Sequence, residues 1–433
     1  MKEDWIECAI EDVAQILNGD RGKNYPSRSH YIEKGVPFIS AGNIGKHSKL
    51  KDELNFISEE RFELLKAGKL QKGDIVYCIR GSIGKFAIID FDKGAIASSL
   101  CIIRINKTIE SSLLCYYLDS HLCRLEIHKF DNGTAQPNLS AKDFKKFQLP
   151  LPPLVEQKAI VKKIEELFSS LDSGIADLKR AQDQLKIYRQ AVLKKAFEGE
   201  LTKEWRKLQM VKYEWENVHL DEVLIQSKEK HKPEKIENLF YVGLEHIEKE
   251  TGNLTENVGE EEIKTVKNKF ISGQILYGKL RPYLNKVHLA KKEGVCSTDI
   301  LVFTPSEKIY GKYALLFMLS RQFVNDMSNN TNGVNLPRVS TKYVNEYKVP
   351  LPSLKEQHQI VQEIESRLSV CDAVEQSITE SLDKAQALRQ SILKKAFEGK
   401  LLSEEEIAKC KADKDYEPAS VLLEKMKTEK KKK

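Results

Sequence analysis

The sequence predicts an α+β protein: two mixed α/β domains joined by two long helices that pack antiparallel as a coiled coil, with an internal pseudo-twofold relation. Three observations predict it. Residues 149–201 recur at 349–401, offset by 200 positions without a gap. Each copy opens on a proline-rich entry and closes on Leu-Lys-Lys-Ala-Phe-Glu-Gly, at 193–199 and 393–399. Between the copies the pattern changes from helical periodicity to short β-rich runs bounded by glycine. At 433 residues the chain exceeds one comfortable core, and the duplication sets the boundaries: a first domain over 1–150, a helical region over 151–201, a second domain over 202–350, a second helical region over 351–401, and a basic tail over 402–433.

In the first domain Ile75 to Ile79, Phe86 to Ile89 and Cys101 to Ile105 read as strands, followed by a helix near Ser112 to His128. Ile275 to Tyr277, Val287 to Leu289, Ile300 to Phe303 and a helix near Lys312 to Met327 are their counterparts. Further upstream the match needs a shifted register, with Trp5 and Val13 answering Trp215 and Val223. Pro152 and Pro153 fit a helix entrance, where a missing N–H costs nothing. Gly199 and Gly399 supply the stops, after lysines placed to favour the negative end of the dipole. Apolar residues recur at heptad spacing as Leu171, Leu178, Leu185 and Val192, and as Cys371, Ile378, Ala385 and Ile392. A companion seam sets Leu167, Gly174, Ala181 and Tyr188 against Arg367, Val374, Ser381 and Leu388, small residues facing large, with Gly174 marking either a close crossing or a weak point. A helix of about 45 residues is about 67 Å long, more than one compact domain can cover, so the two copies are expected to pack on each other.

Composition narrows the function classes. The chain is 41% hydrophobic and 31% charged with a net charge of +6, which permits a nucleic-acid partner without requiring one. No apolar run reaches membrane-spanning length and no signal peptide is evident, so a cytoplasmic protein is expected. The eight cysteines form no CxxC pair, so neither a zinc site nor a disulfide framework is expected. Catalytic signatures are missing too. Gly-Ser-Ile-Gly-Lys-Phe at 81–86 is too short for a nucleotide-binding P-loop and lacks its hydroxyl. Leu-Pro-Pro-Leu at 151–154 resembles the Asn/Asp-Pro-Pro-aromatic motif of amino methyltransferases only superficially. Glu156, Gln157 and Lys158 spell a nuclease-like triplet, but the second copy reads Glu356, Gln357, His358, so the Glu-Gln pair is assigned to the first turn of each helix.

The loops carry a binding signal. Asp-Asn-Gly-Thr-Ala-Gln-Pro-Asn-Leu-Ser at 131–140 packs amides and hydroxyls on a Gly and Pro frame, and 331–340 repeats the frame with different side chains. Residues 77–85 and 277–286 add basic groups beside glycines or turns. Amides pair bidentately with adenine and arginine with guanine, while hydroxyls reach phosphate. The candidate DNA contacts are Asn43, Arg80, Ser82, Lys85, Asn132, Thr134, Gln136 and Asn138 in the first domain. In the second they are Lys279, Arg281, Tyr283, Lys286, Asn332, Asn335 and Arg338.

The chain as a whole resembles the specificity subunit of type I restriction-modification enzymes. The resemblance rests on the Pro-Leu-Pro-x-Leu-x-Glu-Gln entries, the Lys-Lys-Ala-Phe-Glu-Gly exits, Leu-Thr-Lys-Glu-Trp-Arg at 201–206, Tyr-Val-Gly-Leu-Glu-His-Ile at 241–247 and residues 418–427, in that order and duplicated. It implies two target recognition domains, each reading half of an asymmetric bipartite DNA sequence, with the helices fixing the unspecified gap. It also implies a non-catalytic chain that binds no cofactor itself. Two modification subunits bring S-adenosylmethionine and adenine N6-methylation, and restriction subunits bring ATP- and Mg-dependent translocation and cleavage. The partner-contact candidates are then Glu156, Gln157, Phe197, Glu356, Gln357 and Phe397. Two other readings stay open on sequence: the targeting subunit of a related system whose partner both methylates and cuts, and a coiled-coil scaffold that binds no DNA.

Overall fold

A computed structural model of the chain describes residues 2–45, 48–105, 109–130, 138–210 and 214–432. The chain divides into two compact units, residues 1–177 with 381–433 and residues 178–380. Each unit therefore holds one α/β domain, the first half of one long helix and the second half of the other.

In the first unit Ala14–Asn18, Leu100–Ile105, Ile75–Cys78 and Phe86–Ile88 form an antiparallel sheet in that order. A second sheet orders Asn55–Ile57, Val36–Ile39, Gly94–Ile96 and Lys69–Leu70. The strand Ile75–Cys78 is buried on both faces because the period-2 alternation sends its side chains into two cores. Ile75 and Tyr77 join the helices, while Val76 and Cys78 pack with Ile39, Leu70 and Ile96 of the second sheet. The second unit repeats this plan. Leu224–Ser227, Ile300–Pro305, Ile275–Gly278 and Val287–Leu289 pair in the same order, and Ile275 and Tyr277 face the helices as Leu276 faces the other sheet. Here the second sheet has five strands.

The single helix expected in each domain is two. Ser111–Asp119 is followed by His121–Phe130, and Gly311–Met318 by Arg321–Asn329. A serine makes each break. The Ser320 hydroxyl accepts from the Phe323 N–H and so caps the following helix, which ends the preceding one. Ser120 accepts from the Cys123 N–H in the same way.

The long helices run Leu154–Phe197 and Leu354–Phe397. Both end in a left-handed glycine, with φ of 77° at Gly199 and 72° at Gly399. The N–H groups of residues 199 and 200 return to the carbonyls of Ala196 and Lys195, and those of 399 and 400 to Ala396 and Lys395, a Schellman closure at each end. Within each unit the two helical halves run antiparallel. In the first, Arg389 pairs with Asp172 and Lys163 with Glu406, so one chain descends as the other advances. In the second, Arg189 reaches Asp372 at 2.6 Å and Glu375 at 2.9 Å, and Arg206 reaches Glu356. The ion pairs 172–389 and 189–372 exchange under the 200-residue offset.

The heptad positions Cys371, Ile378, Ala385 and Ile392 are buried, as is Val192, with Leu171, Leu178 and Leu185 half-buried. Of the companion seam, Gly174, Tyr188, Arg367, Val374 and Leu388 are exposed and Leu167, Ala181 and Ser381 half-buried. A two-helix seam uses two heptad rows, and the second one here holds Phe168, Ile175, Leu368 and Leu382, buried or half-buried; a Cβ at Gly174 would meet no heavy atom within 4 Å, so it marks no close crossing. The tail also differs from a simple basic extension. Glu404–Lys411 and Ala419–Lys432 are helices, and Cys410, Ala419, Leu422 and Met426 join the core of the first unit.

Candidate nucleic-acid interface

In each domain the described parts of the two predicted loops meet at one junction, built the same way twice. In the first domain the Leu139 N–H donates to the Ile79 carbonyl at 2.9 Å, and Arg80 bridges Asn138. In the second the Val339 N–H donates to the Lys279 carbonyl at 3.1 Å, and Leu280 bridges Arg338. A third strand end completes each junction, since the N–H groups of Ile79 and Lys279 donate to the carbonyls of Ser99 and Asp299, both at 3.0 Å.

In the second domain Arg281 and Asn285 bracket a tight turn with left-handed φ of 50° and 45°, a conformation that non-glycine residues hold only when anchored. The anchors are visible. The Arg281 N–H donates to the Pro337 carbonyl at 2.7 Å, and the buried Asn285 amide donates to the Leu319 carbonyl at 3.1 Å. The turn leaves Arg281 and Tyr283 exposed. Beside it, Arg338 donates from Nε and Nη2 to the two carboxylate oxygens of Asp299, at 3.0 and 3.1 Å, with Lys279 Nζ 4.0 Å from the same carboxylate. The Arg338 guanidinium holds the Asp299 carboxyl below its ordinary range. Asp299 thus fixes a planar, part-exposed cation whose Nη1 also donates to the Leu336 carbonyl at 3.4 Å, and a held guanidinium is the group that reads guanine or phosphate. Sequence reasoning passed over Asp299, because a carboxylate in a DNA-facing loop looks repulsive until its arginine is seen.

The remaining candidates differ in exposure. Ser82, Lys85, Asn138, Asn332 and Asn335 are exposed, and Arg80 is half-buried at its junction. Lys286 folds back to donate to the Leu244 carbonyl, and burial depresses its pKa. Asn43 leaves the set: it is buried, its Oδ1 accepts from the Ser40 N–H and hydroxyl, and its Nδ2 donates to the Glu53 carbonyl at 2.9 Å, so it closes a local turn. Asn132, Thr134 and Gln136 lie outside the described residues.

The partner-contact candidates are corrected more sharply. Glu156, Gln157, Glu356 and Gln357 are wholly buried and Phe397 nearly so, which leaves them no surface to offer. Each Gln clamps its helix to its domain. The Gln157 Oε1 accepts from the Glu110 N–H at 2.9 Å and its Nε2 donates to the Pro152 carbonyl, and Gln357 does the same with Tyr310 and Pro352. The Glu156 carboxylate accepts from the Trp5 indole at 2.9 Å, from Lys2 at 3.1 Å and from the Tyr416 hydroxyl at 3.2 Å. Glu356 instead takes the Thr202 hydroxyl at 2.7 Å and the Arg206 guanidinium. A buried carboxylate needs such donors to stay charged, and they come from segments distant in sequence, not from the helix's own first turn. Phe197 is half-buried against Tyr313 and Phe317, and Phe397 packs edge-on to Tyr117.

Two domains that present the same loop junction with different side chains, carried on paired helices, define a class of duplicated recognition proteins. Comparison gives the class its name. Residues 2–179 and 212–384 match the family model described as the type I restriction modification DNA specificity domain. The chain belongs to that family. It is 31% identical over 321 residues to the EcoDI specificity subunit of Escherichia coli, covering 69% of this chain and 72% of that one. To the EcoKI specificity subunit of E. coli K12 it is 25% identical over 450 residues, covering 99% and 96%. Among solved structures it superposes with a TM-score of 0.68 at 18% identity on a chain from a study of type I R-M complex assembly and conformational transition, covering 93% of this chain and 99% of that one. The HsdS subunit of Thermoanaerobacter tengcongensis gives a TM-score of 0.55 at 18% identity, covering 93% and 98%. Family membership sets aside the reading as a scaffold without a DNA role. Among the described residues no helix is long and apolar enough to cross a membrane.

Proposed function

We propose that this chain is the DNA-addressing subunit of a type I restriction-modification complex, each domain reading one half of a bipartite, asymmetric target. The observation that carries the reading is the junction built twice from one backbone plan with different side chains: Arg80 and Asn138 in one domain, Lys279, Arg281 and Arg338 in the other. One plan with two chemistries is what an asymmetric target read by a duplicated chain requires. The paired helices set the unspecified gap between the half-sites. Their exposed faces bind two modification subunits, and the pseudo-twofold repeat gives each an equivalent seat. Those subunits supply S-adenosylmethionine, base flipping and N6-methylation of adenine; restriction subunits supply ATP- and Mg-dependent translocation and cleavage. The chain itself is non-catalytic and acts in the cytoplasm.

The test is DNA binding by the purified chain with its modification subunit. Affinity should fall linearly on a log–log plot against salt. Arg281→Ala or Arg338→Ala should weaken one half-site, and Arg80→Ala or Gln136→Ala the other. Unchanged affinity and preference in all four variants would remove these residues from the interface.

A further inference from the structure

The tip of the second domain's hairpin is apolar where a solvated turn would be polar. Thr331–Asn332 pairs with Arg338–Val339 as a two-stranded ribbon, and its base is pinned to the neighbouring turn through Pro337 and Val339. The tip beyond that base carries Val334, 97% exposed, and Leu336, 46% exposed, with the exposed Asn335 between them. Scattered apolar residues are ordinary on a surface, but hairpin tips favour Asn, Asp and Gly, and Val334 is the most exposed of the large hydrophobic residues described. The first domain has Thr134 and Gln136 at the matching positions, so the shared frame does not demand apolar side chains here. Arg281 is tied to the base of the tip through the Pro337 carbonyl and is exposed with Tyr283, while Arg338 and Lys342, ion-paired with Asp299 and Glu346, follow the tip along the chain.

A two-stranded ribbon is of the size the DNA major groove admits, and there an A·T pair presents an amide-matching adenine edge beside the thymine C5-methyl group. Resting on the reading of this domain as a DNA reader, we infer that Val334 and Leu336 seat against thymine methyl groups while Asn335 meets an adjacent adenine, so that this domain's half-site contains A·T pairs recognised through the methyl. The basic residues beside the tip hold the flanking phosphates.

The test uses the full chain in complex with its modification subunit and a duplex carrying the mapped target. Each thymine is replaced singly by deoxyuridine, which removes the methyl and keeps the pairing. Binding should weaken about fourfold per contacted methyl at positions in one half-site, from about 0.8 kcal/mol for a buried methyl-sized group. The double variant Val334→Asn, Leu336→Gln, altering only exposed positions, should still assemble and bind but lose that discrimination. Three results would overturn the inference: equal binding of thymine and uracil duplexes throughout, discrimination retained in the double variant, or a double variant that sheds the modification subunit and so marks the tip as a protein-docking element. Absence of any bipartite target would be a different result, bringing down the DNA-reading assignment beneath it.

Discussion

Glu156 and Glu356 occupy matching positions in the two copies and hold their helices by different means. The first gathers Lys2, Trp5 and Tyr416, and the second Thr202 and Arg206, while the indole N–H of Trp215, the counterpart of Trp5, and the Glu356 Oε2 are buried with no hydrogen-bond partner among the described residues. Glu156→Ala should therefore cost about 3 kcal/mol, since it strands a lysine and an indole N–H at one point, the Tyr416 hydroxyl keeping its bond to Asp4. A denaturant midpoint shifted by under a third of that would deny the carboxylate its anchoring role. Asp299→Asn is expected to act on recognition instead. With the guanidinium of Arg338 released, preference at one half-site should relax while the other half and the thermal midpoint stay put; equal loss at both halves would contradict this. The pH dependence has a definite sign. Because Arg338 lowers the Asp299 pKa below 3.8, the pairing is complete above that value and fails only as pH falls through the lowered pKa, so half-site preference should be flat from pH 8 to 5. At this scale the exposure of Arg281 and Tyr283 was legible in the sequence, because a turn presents them. The sequence was misleading for Glu156, Gln157 and Asn43, whose meaning depends on donors and carbonyls that only the fold brings near.

The helices divide their contacts between a stripe that stabilises and pairs that orient. Ile364 is fully buried on the heptad stripe, so Ile364→Ala should cost about 2–4 kcal/mol. Arg189→Ala removes half-exposed pairs with Asp372 and Glu375 and should cost under about 1 kcal/mol. The reverse order in denaturant melts would mean that charge, not burial, holds the pair. Gly174→Ala should raise the stability of the first helix by up to about 1 kcal/mol, because the added methyl meets nothing and glycine is the poorer helix former. Destabilisation there would reveal a close approach after all. Periodicity made the helices and one stripe legible, and the duplication located both caps. It misplaced the second seam by one position, because heptad spacing records which residues share a face and not which face a partner covers. The breaks at Ser120 and Ser320 hid inside continuous apolar runs, since a serine cap is a single hydrogen bond without a periodic signature. The helix Ala419–Lys432 was masked by its lysine-rich composition, although Leu422 and Met426 four residues apart are the stripe that docks it.

For the molecule as a whole, duplication by 200 residues predicts a division of labour that each unit can be tested for. If the helices set the gap, inserting or deleting one heptad in either should change the permitted spacing between half-sites or abolish assembly. Variants that assemble normally and keep the parental gap would refute the ruler. The two-domain plan was legible because a gapless internal repeat leaves little freedom in topology; the identity of the bases was not, because loop side chains carry no code apart from the geometry that presents them. The central claim is that this chain alone gives the complex its address. It is tested most directly by co-expressing the chain with its modification subunit in a methylation-free host and mapping N6-methyladenine across the genome by single-molecule sequencing. The account predicts a bipartite motif with an unspecified gap that vanishes when the chain is omitted. A contiguous motif, or one that persists without the chain, would contradict it.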